Sequence, residues 1–215
     1  MLARIARLLL SALLVLPLAA AKAPAGPAPV EGEDYVAIEG GAPYAPAKGR
    51  IEVVEVFGYT CPHCARFEPK FAAWAARQPK DVQVVRLAAP WGGHWQPYAR
   101  AFYAACALGA LTKTHEAVFR ALHEDGLLPQ HNATPEEIAG FYARYGIDPA
   151  RFVATMHSAA IDTEMQKAQA FILRSGVEGT PTLVVAGRYR VTARTHEDAL
   201  RIADALIARE RAARR

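Results

Sequence analysis

The sequence predicts an α/β domain that carries an all-helical insertion. Three observations point to it. β-branched runs at residues 51–57 and 82–87 bracket a helical pattern. Residues 90–174 then show helical periodicity only. Strand-like runs return at 182–186 and 189–192, ahead of a last helix. Neither half has enough strands for a stable sheet of its own, so both are expected to contribute to one sheet, with the helices inserted between them.

The 215 residues suffice for one core or two small ones, and 52% hydrophobic with 21% charged residues is a globular balance. Residues 1–23 read as a cleaved signal peptide. Arg4 and Arg7 form a basic start, residues 8–21 are apolar, and Ala19-Ala20-Ala21 or Ala21-Lys22-Ala23 suits a signal peptidase. The apolar run of 14 residues, interrupted by Pro17, is shorter than the ~20 that a spanning helix needs. Cleavage would remove Arg4, Arg7 and Lys22, so the formal net charge of +4 falls to +1. Such a balance gives no ground for a nucleic-acid partner. The basic tail from Arg209 to Arg215 reads as a solvated helix end.

Residues 24–48, rich in Ala, Pro and Gly, read as an extended lead-in with a short strand near 35–38. Residues 51–57 are short and β-branched, which predicts a buried strand. Gly58-Tyr59-Thr60 forms the turn into a helix over 62–77, with Phe67, Phe71 and Trp74 on one face. Gln78-Pro79-Lys80-Asp81 stops that helix, and a second strand at 82–87 completes a β-α-β unit with parallel strands. The helical block opens with a helix at 98–111. The next has an apolar face of His115, Val118, Phe119 and Leu122. Thr134-Pro135-Glu136-Glu137 starts a third with a capping box, ending near Gly146. Asp148-Pro149 opens a fourth, and residues 161–174 form the last. Gly187-Arg188 is expected to turn the closing hairpin, and Thr195 to cap a final helix. The expected organisation is therefore a lead-in at 24–48, an α/β domain at 49–89 plus 175–212, and a helical insert at 90–174.

The chain holds three cysteines: Cys61, Cys64 and Cys106. A stapled scaffold would carry more, in even number. The Cys61–Cys64 ring is too short to remove much unfolded-state entropy, so the pair reads as chemistry. Cys61 stands where strand gives way to helix. Free N–H groups and the positive end of the helix dipole stabilise a thiolate there. Pro62 fits the first helical turn, and a protonated His63 would add a further stabilising charge. A stabilised thiolate is a good leaving group, so the disulfide form is readily attacked. Cys64, deeper in the helix, is the expected resolving thiol. Cys106 shares a face with Phe102 among alanines and reads as a small buried residue without a redox role.

Cys61-Pro62-His63-Cys64 between strand and helix, the helical insert and Val177-Glu178-Gly179-Thr180-Pro181 together resemble the DsbA family of periplasmic thiol–disulfide oxidases, over roughly residues 35–210. The resemblance implies a thioredoxin-like fold. DsbA proteins are themselves the reference example of a strongly lowered cysteine pKa and an oxidising couple. It further implies that Thr180-Pro181 is a cis-proline loop facing the cysteines and binding an extended substrate. Glu55 matches the family's buried acid, a proton carrier for the buried thiol. The family often pairs that acid with a Lys on the second strand; this chain has Arg86 in the matching stretch. The resemblance implies reduced, unfolded exported proteins as substrates, reoxidation by a quinone-linked membrane protein of the DsbB type, a periplasmic location, no bound cofactor and, by default, a monomer. Trp91 and Trp95 stand in the loop entering the insert, as groove lining or core cover.

Two other readings stand beside this one. A reductase or isomerase would use the same fold, although too few residues precede Cys61 for an isomerase's dimerisation domain. A zinc module would use Cys61 and Cys64 with Cys106 and a His, but no second Cys-x-x-Cys exists.

Overall fold

A computed structural model describes residues 27–214; the signal-peptide segment lies outside the described residues. Five strands form one sheet: β1 (Tyr35–Ala37), β2 (Ile51–Phe57), β3 (Val82–Ala88), β4 (Thr182–Val185) and β5 (Tyr189–Val191), in the order β1-β5-β4-β2-β3. β2 and β3 are parallel, with α1 (Pro62–Ala76) as their crossover; the other pairings are antiparallel. All seven residues of β2 are buried, as suits the strand between β3 and β4.

One face of the sheet is covered by α1 and α7 (His196–Ala213). Phe67, Phe71 and Trp74 of α1 and Ile202 and Leu206 of α7 pack there with Val53, Leu183 and Val185. The other face receives the helices between β3 and β4: α2 (Trp95–Ala107), α3 (Leu111–His123), α4 (Pro135–Ala143), α5 (Pro149–Met156) and α6 (Ala159–Arg174). Their core joins Val54, Val56 and Phe57 to Phe102, Phe119, Tyr142, Phe152 and Phe171. The architecture is thioredoxin-like, with helices inserted between the β-α-β and β-β-α halves.

Local signals placed most helix starts. Thr134 and Glu137 form a complete capping box on α4. Asp148 and Thr195 cap α5 and α7. Three elements differ from expectation in their bounds. The helix expected at 98–111 begins at Trp95 and ends at Ala107. It ends there because Gly109 takes φ +67 and turns the chain into α3. The fourth helix of the fold stops at Ala143, ahead of three turn residues. The hairpin turns on Ala186-Gly187, not Gly187-Arg188: both have positive φ (53° and 65°), and Arg188 N–H donates to Val185 O at 2.9 Å. That is the mirror-image turn matching the twist of a hairpin.

The lead-in is fastened to the sheet. The backbone N–H groups of Tyr44 and Ala45 donate to the two oxygens of buried Glu52 at 2.7 and 2.6 Å. Cys106 is exposed, not buried. It lies in the last turn of α2, beside exposed Ala107 and Gly109, where the helix runs past its packing partners.

Candidate active site

The interior strand β2 ends at Phe57, and Gly58-Tyr59-Thr60 turns the chain into α1. Cys61 is the N-cap of that helix, with extended backbone (φ −83°, ψ 117°), and Pro62 occupies its first turn. The Cys64 backbone N–H points at Cys61 Sγ, 3.4 Å away. Both sulfurs are free thiols in the structure. Cys61 is 6% exposed and Cys64 fully buried.

The third wall comes from 119 residues further on. The Thr180–Pro181 peptide is cis, and Cys61 Sγ donates to Thr180 O at 3.5 Å. The Thr182 hydroxyl donates to Gly179 O at 2.8 Å and braces the loop. Trp95 closes the side next to Gly58: a Cβ on Gly58 would overlap its ring. Trp91 meets Trp95 edge-on with centroids 5.0 Å apart, and both pack on the core.

These contacts separate the two thiols electrostatically. Cys61 is lowered to about 5. The Cys64 thiol hydrogen bond contributes most, burial opposes it, and the Thr180 side-chain hydroxyl and the backbone N–H groups of Cys64 and His63 add to it. Cys64 is pushed the other way, by burial first and then by Cys61. The His63 ring faces Arg66 (Nδ1 to Nη2, 3.0 Å), so the nearby imidazole that the sequence offered Cys61 is engaged elsewhere.

Glu55 is 1% exposed and sits opposite Arg86 in the β2–β3 register. Arg86 Nε is 3.5 Å from Glu55 Oε2, while its Nη2 donates to Glu68 Oε1 at 2.6 Å. Glu68 Oε2 lies 3.3 Å from His115 Nε2, and His115 Nδ1 is 2.8 Å from the Tyr59 hydroxyl. His123 Nε2 contacts Tyr59 O at 2.7 Å. A buried chain of polar groups thus runs from Glu55 to the residue two before Cys61. Burial and Glu68 raise Glu55 to about 8 against the pull of Arg86. Glu68 is held below the carboxylate range: burial raises it, but His115 and Arg86 outweigh that. Burial lowers His115.

Sequence reasoning missed Glu68, His115, Tyr59 and His123. Glu68 sits at i+4 from Cys64 on α1, a weak signal; His115 looked like one more position on an apolar face. Among the described residues no cluster of three or more His, Cys, Asp or Glu is placed to hold a metal.

The family model described as thioredoxin matches residues 40–205. The thiol:disulfide interchange protein DsbA of Pseudomonas aeruginosa is 41% identical over 185 residues, 85% of this chain and 86% of that protein. That of Azotobacter vinelandii is 40% identical over 185 residues, 85% of each chain. Among solved structures, the oxidoreductase DsbA of Xylella fastidiosa superposes with TM-score 0.84 at 53% identity, covering 86% of this chain and 99% of that one. Pseudomonas aeruginosa DsbA gives TM-score 0.78 at 41% identity, over 85% and 94%. Such identity across nearly the full length of these relatives, on the same fold and around the same paired thiols, means that this chain belongs to the DsbA family of thiol:disulfide interchange proteins.

Proposed function

We propose that this chain oxidises dithiols of exported proteins, with Cys61 as the attacked sulfur. Thiol:disulfide oxidoreductase activity follows from family membership; the direction and the residue roles are argued from the site. One observation carries the reading: a lowered, nearly buried Cys61 beside a Cys64 that is raised and fully buried. In the disulfide form, a substrate thiolate attacks Cys61 Sγ. The Cys61–Cys64 bond breaks and its electron pair goes to Cys64. A second substrate thiolate then attacks the substrate sulfur of the mixed disulfide and releases Cys61 as its stable thiolate. The substrate dithiol loses two electrons, and the cysteine pair gains them.

Cys64 leaves as a thiolate that needs a proton. Neutral Glu55, raised to about 8, supplies it on reduction and takes it back on reoxidation. Arg86, standing opposite it, takes the place of the family's lysine. The cis Thr180–Pro181 loop holds the substrate backbone against Cys61, because proline lacks an N–H and leaves its neighbours free to pair. Pro62 fixes the helix start, and His63 contributes its backbone N–H. Reoxidation falls to a DsbB-type, quinone-linked membrane protein, and the monomer works in the periplasm after removal of residues 1–23. No helix among the described residues is long and apolar enough to cross a membrane.

Equilibration with glutathione buffers, followed by alkylation of free thiols with a mass tag, tests the direction. A midpoint well above the thioredoxin range, lost in Cys61→Ala, is expected. A thioredoxin-like midpoint would make the chain a reductase.

A further inference from the structure

The turn Gly58-Tyr59-Thr60 is closed by the Cys61 N–H, which donates to Gly58 O at 3.1 Å. Tyr59 stands at its corner, 1% exposed, and α3 of the helical insert meets that residue at both ends. His115 Nδ1 is 2.8 Å from the Tyr59 hydroxyl. About two helical turns further along α3, His123 Nε2 is 2.7 Å from Tyr59 O. The Tyr59 ring lies edge-on to Phe57 and Phe119, with centroids 5.1 and 5.0 Å away. Ring packing sets how deep Tyr59 sits; the two directional bonds set how it is turned.

The neighbours decide which group donates. A carbonyl only accepts, so His123 donates from Nε2. His115 Nε2 lies 3.3 Å from Glu68 Oε2, and Glu68 accepts from Arg86 Nη2 at 2.6 Å. A charged carboxylate cannot donate, so the one ring proton of a neutral His115 belongs on Nε2, and its Nδ1 accepts from Tyr59. Burial and Arg86 favour that neutral ring, against Glu68 and Glu116. The His123 bond orients the Tyr59–Thr60 peptide, and Cys61 follows directly, its Sγ 3.4 Å from the Cys64 N–H. A thiolate gains from that N–H only while the turn holds Cys61 at the helix start.

We propose that His115 and His123 are positioning residues for the thiol exchange: the insert grips Tyr59 at both ends and so sets the reactivity of Cys61 from outside the thioredoxin-like part. The inference rests on Cys61 being the attacked sulfur.

Tyr59→Phe keeps the ring and its packing and removes only the hydroxyl; His123→Ala removes the grip on the carbonyl. Each full-length variant is equilibrated with glutathione buffers, and its Cys61 thiolate is titrated by absorbance. In each, the dithiol-to-disulfide ratio at fixed glutathione is expected to fall about threefold, and the thiolate midpoint to rise. His115→Leu should match Tyr59→Phe, and the two combined should do no more than either, because they break one bond. His115→Gln and His123→Gln, which keep an acceptor and a donor, should restore most of the loss. Ratios and midpoints unchanged in both Tyr59→Phe and His123→Ala overturn the proposal. So does a loss of stability that is equal in the reduced and oxidised forms, which is what a brace alone would give. The parent's own midpoint tests the oxidising direction, and the change from parent to variant tests the grip, so the two readings can fail separately.

Discussion

Glu55 shows how one buried side chain gives a pH dependence to a whole protein. Unfolded, a glutamate titrates near 4.5; here burial and Glu68 raise it to about 8, with Arg86 opposing. A raised acid favours its neutral form. Its contribution to stability is present below pH 4.5 and is lost as pH rises through about 8. Glu55→Gln keeps the shape and removes the charge. Urea denaturation of the oxidised form should find the variant no more stable than the parent at pH 4. The difference should grow in its favour by as much as a few kcal/mol above pH 8. Parallel profiles would mean that Glu55 titrates normally. On the proton-carrier role proposed above for Glu55, the variant should also exchange thiols more slowly. The sequence placed Glu55 on a face with Val53 and Phe57 by alternation, but alternation could not decide its burial. Both faces of β2 are covered, and Glu52 on the other face is equally buried. What identifies Glu52 is the pair of lead-in N–H groups it accepts, a tertiary fact. The same holds for Glu68 and His115, which meet only because α1 and α3 pack together.

At the scale of elements, the hairpin between β4 and β5 meets the lead-in at its turn, away from the cis-proline end. Its turn at Ala186-Gly187 packs against the lead-in, and a Cβ on Gly187 would overlap the backbone of Ala42 and Pro43. With φ +65° as well, Gly187→Ala faces both strain and a clash with main chain that has nowhere to go. A loss of about 2 kcal/mol or more in denaturant unfolding is expected. The Cys61 titration, followed by thiolate absorbance, should stay near 5, because the turn is at the opposite end of β4 from Pro181. A shifted titration would show that the lead-in and hairpin reach the active site. Elements were legible where their signals are local. Thr134, Asp148 and Thr195 announce their helices through side-chain caps within three residues. The start of α2 was not legible, because Trp95 packs onto Gly58, 37 positions earlier in the numbering. Cys106 was misplaced for a related reason: its helix ends sooner than its composition implies.

For the molecule as a whole, the fold works as a reservoir that the redox pair draws on. An unfolded cysteine titrates near 9.0, whereas Cys61 in the folded dithiol is lowered to about 5. The hydrogen bond from the Cys64 thiol is the main cause, against burial, with the Thr180 side-chain hydroxyl and the helix N–H groups adding to it. A lowered thiol gives stability that is fully present above pH 9 and is lost as pH falls through about 5. The disulfide form has no Cys61 proton to release and gains none of this. By the thermodynamic cycle, whatever stabilises the folded dithiol makes the disulfide more oxidising, so stability and activity are one quantity seen twice. Closing the short Cys61–Cys64 ring adds an offset in favour of the oxidised form, but that offset does not change with pH. The slope is therefore the test, rather than the sign at one pH. Denaturant unfolding of both forms between pH 4 and 9 should show the reduced form gaining on the oxidised form steadily above pH 5. The gain should approach 1.4 kcal/mol per pH unit where Cys61 is ionised only in the folded state. In Cys64→Ala, which removes the main donor, the Cys61 midpoint should move back toward the ordinary thiol value. A reduced-minus-oxidised difference that stays flat across this range would mean that the thiolate is not held by the fold, and the oxidising direction would lose its physical basis.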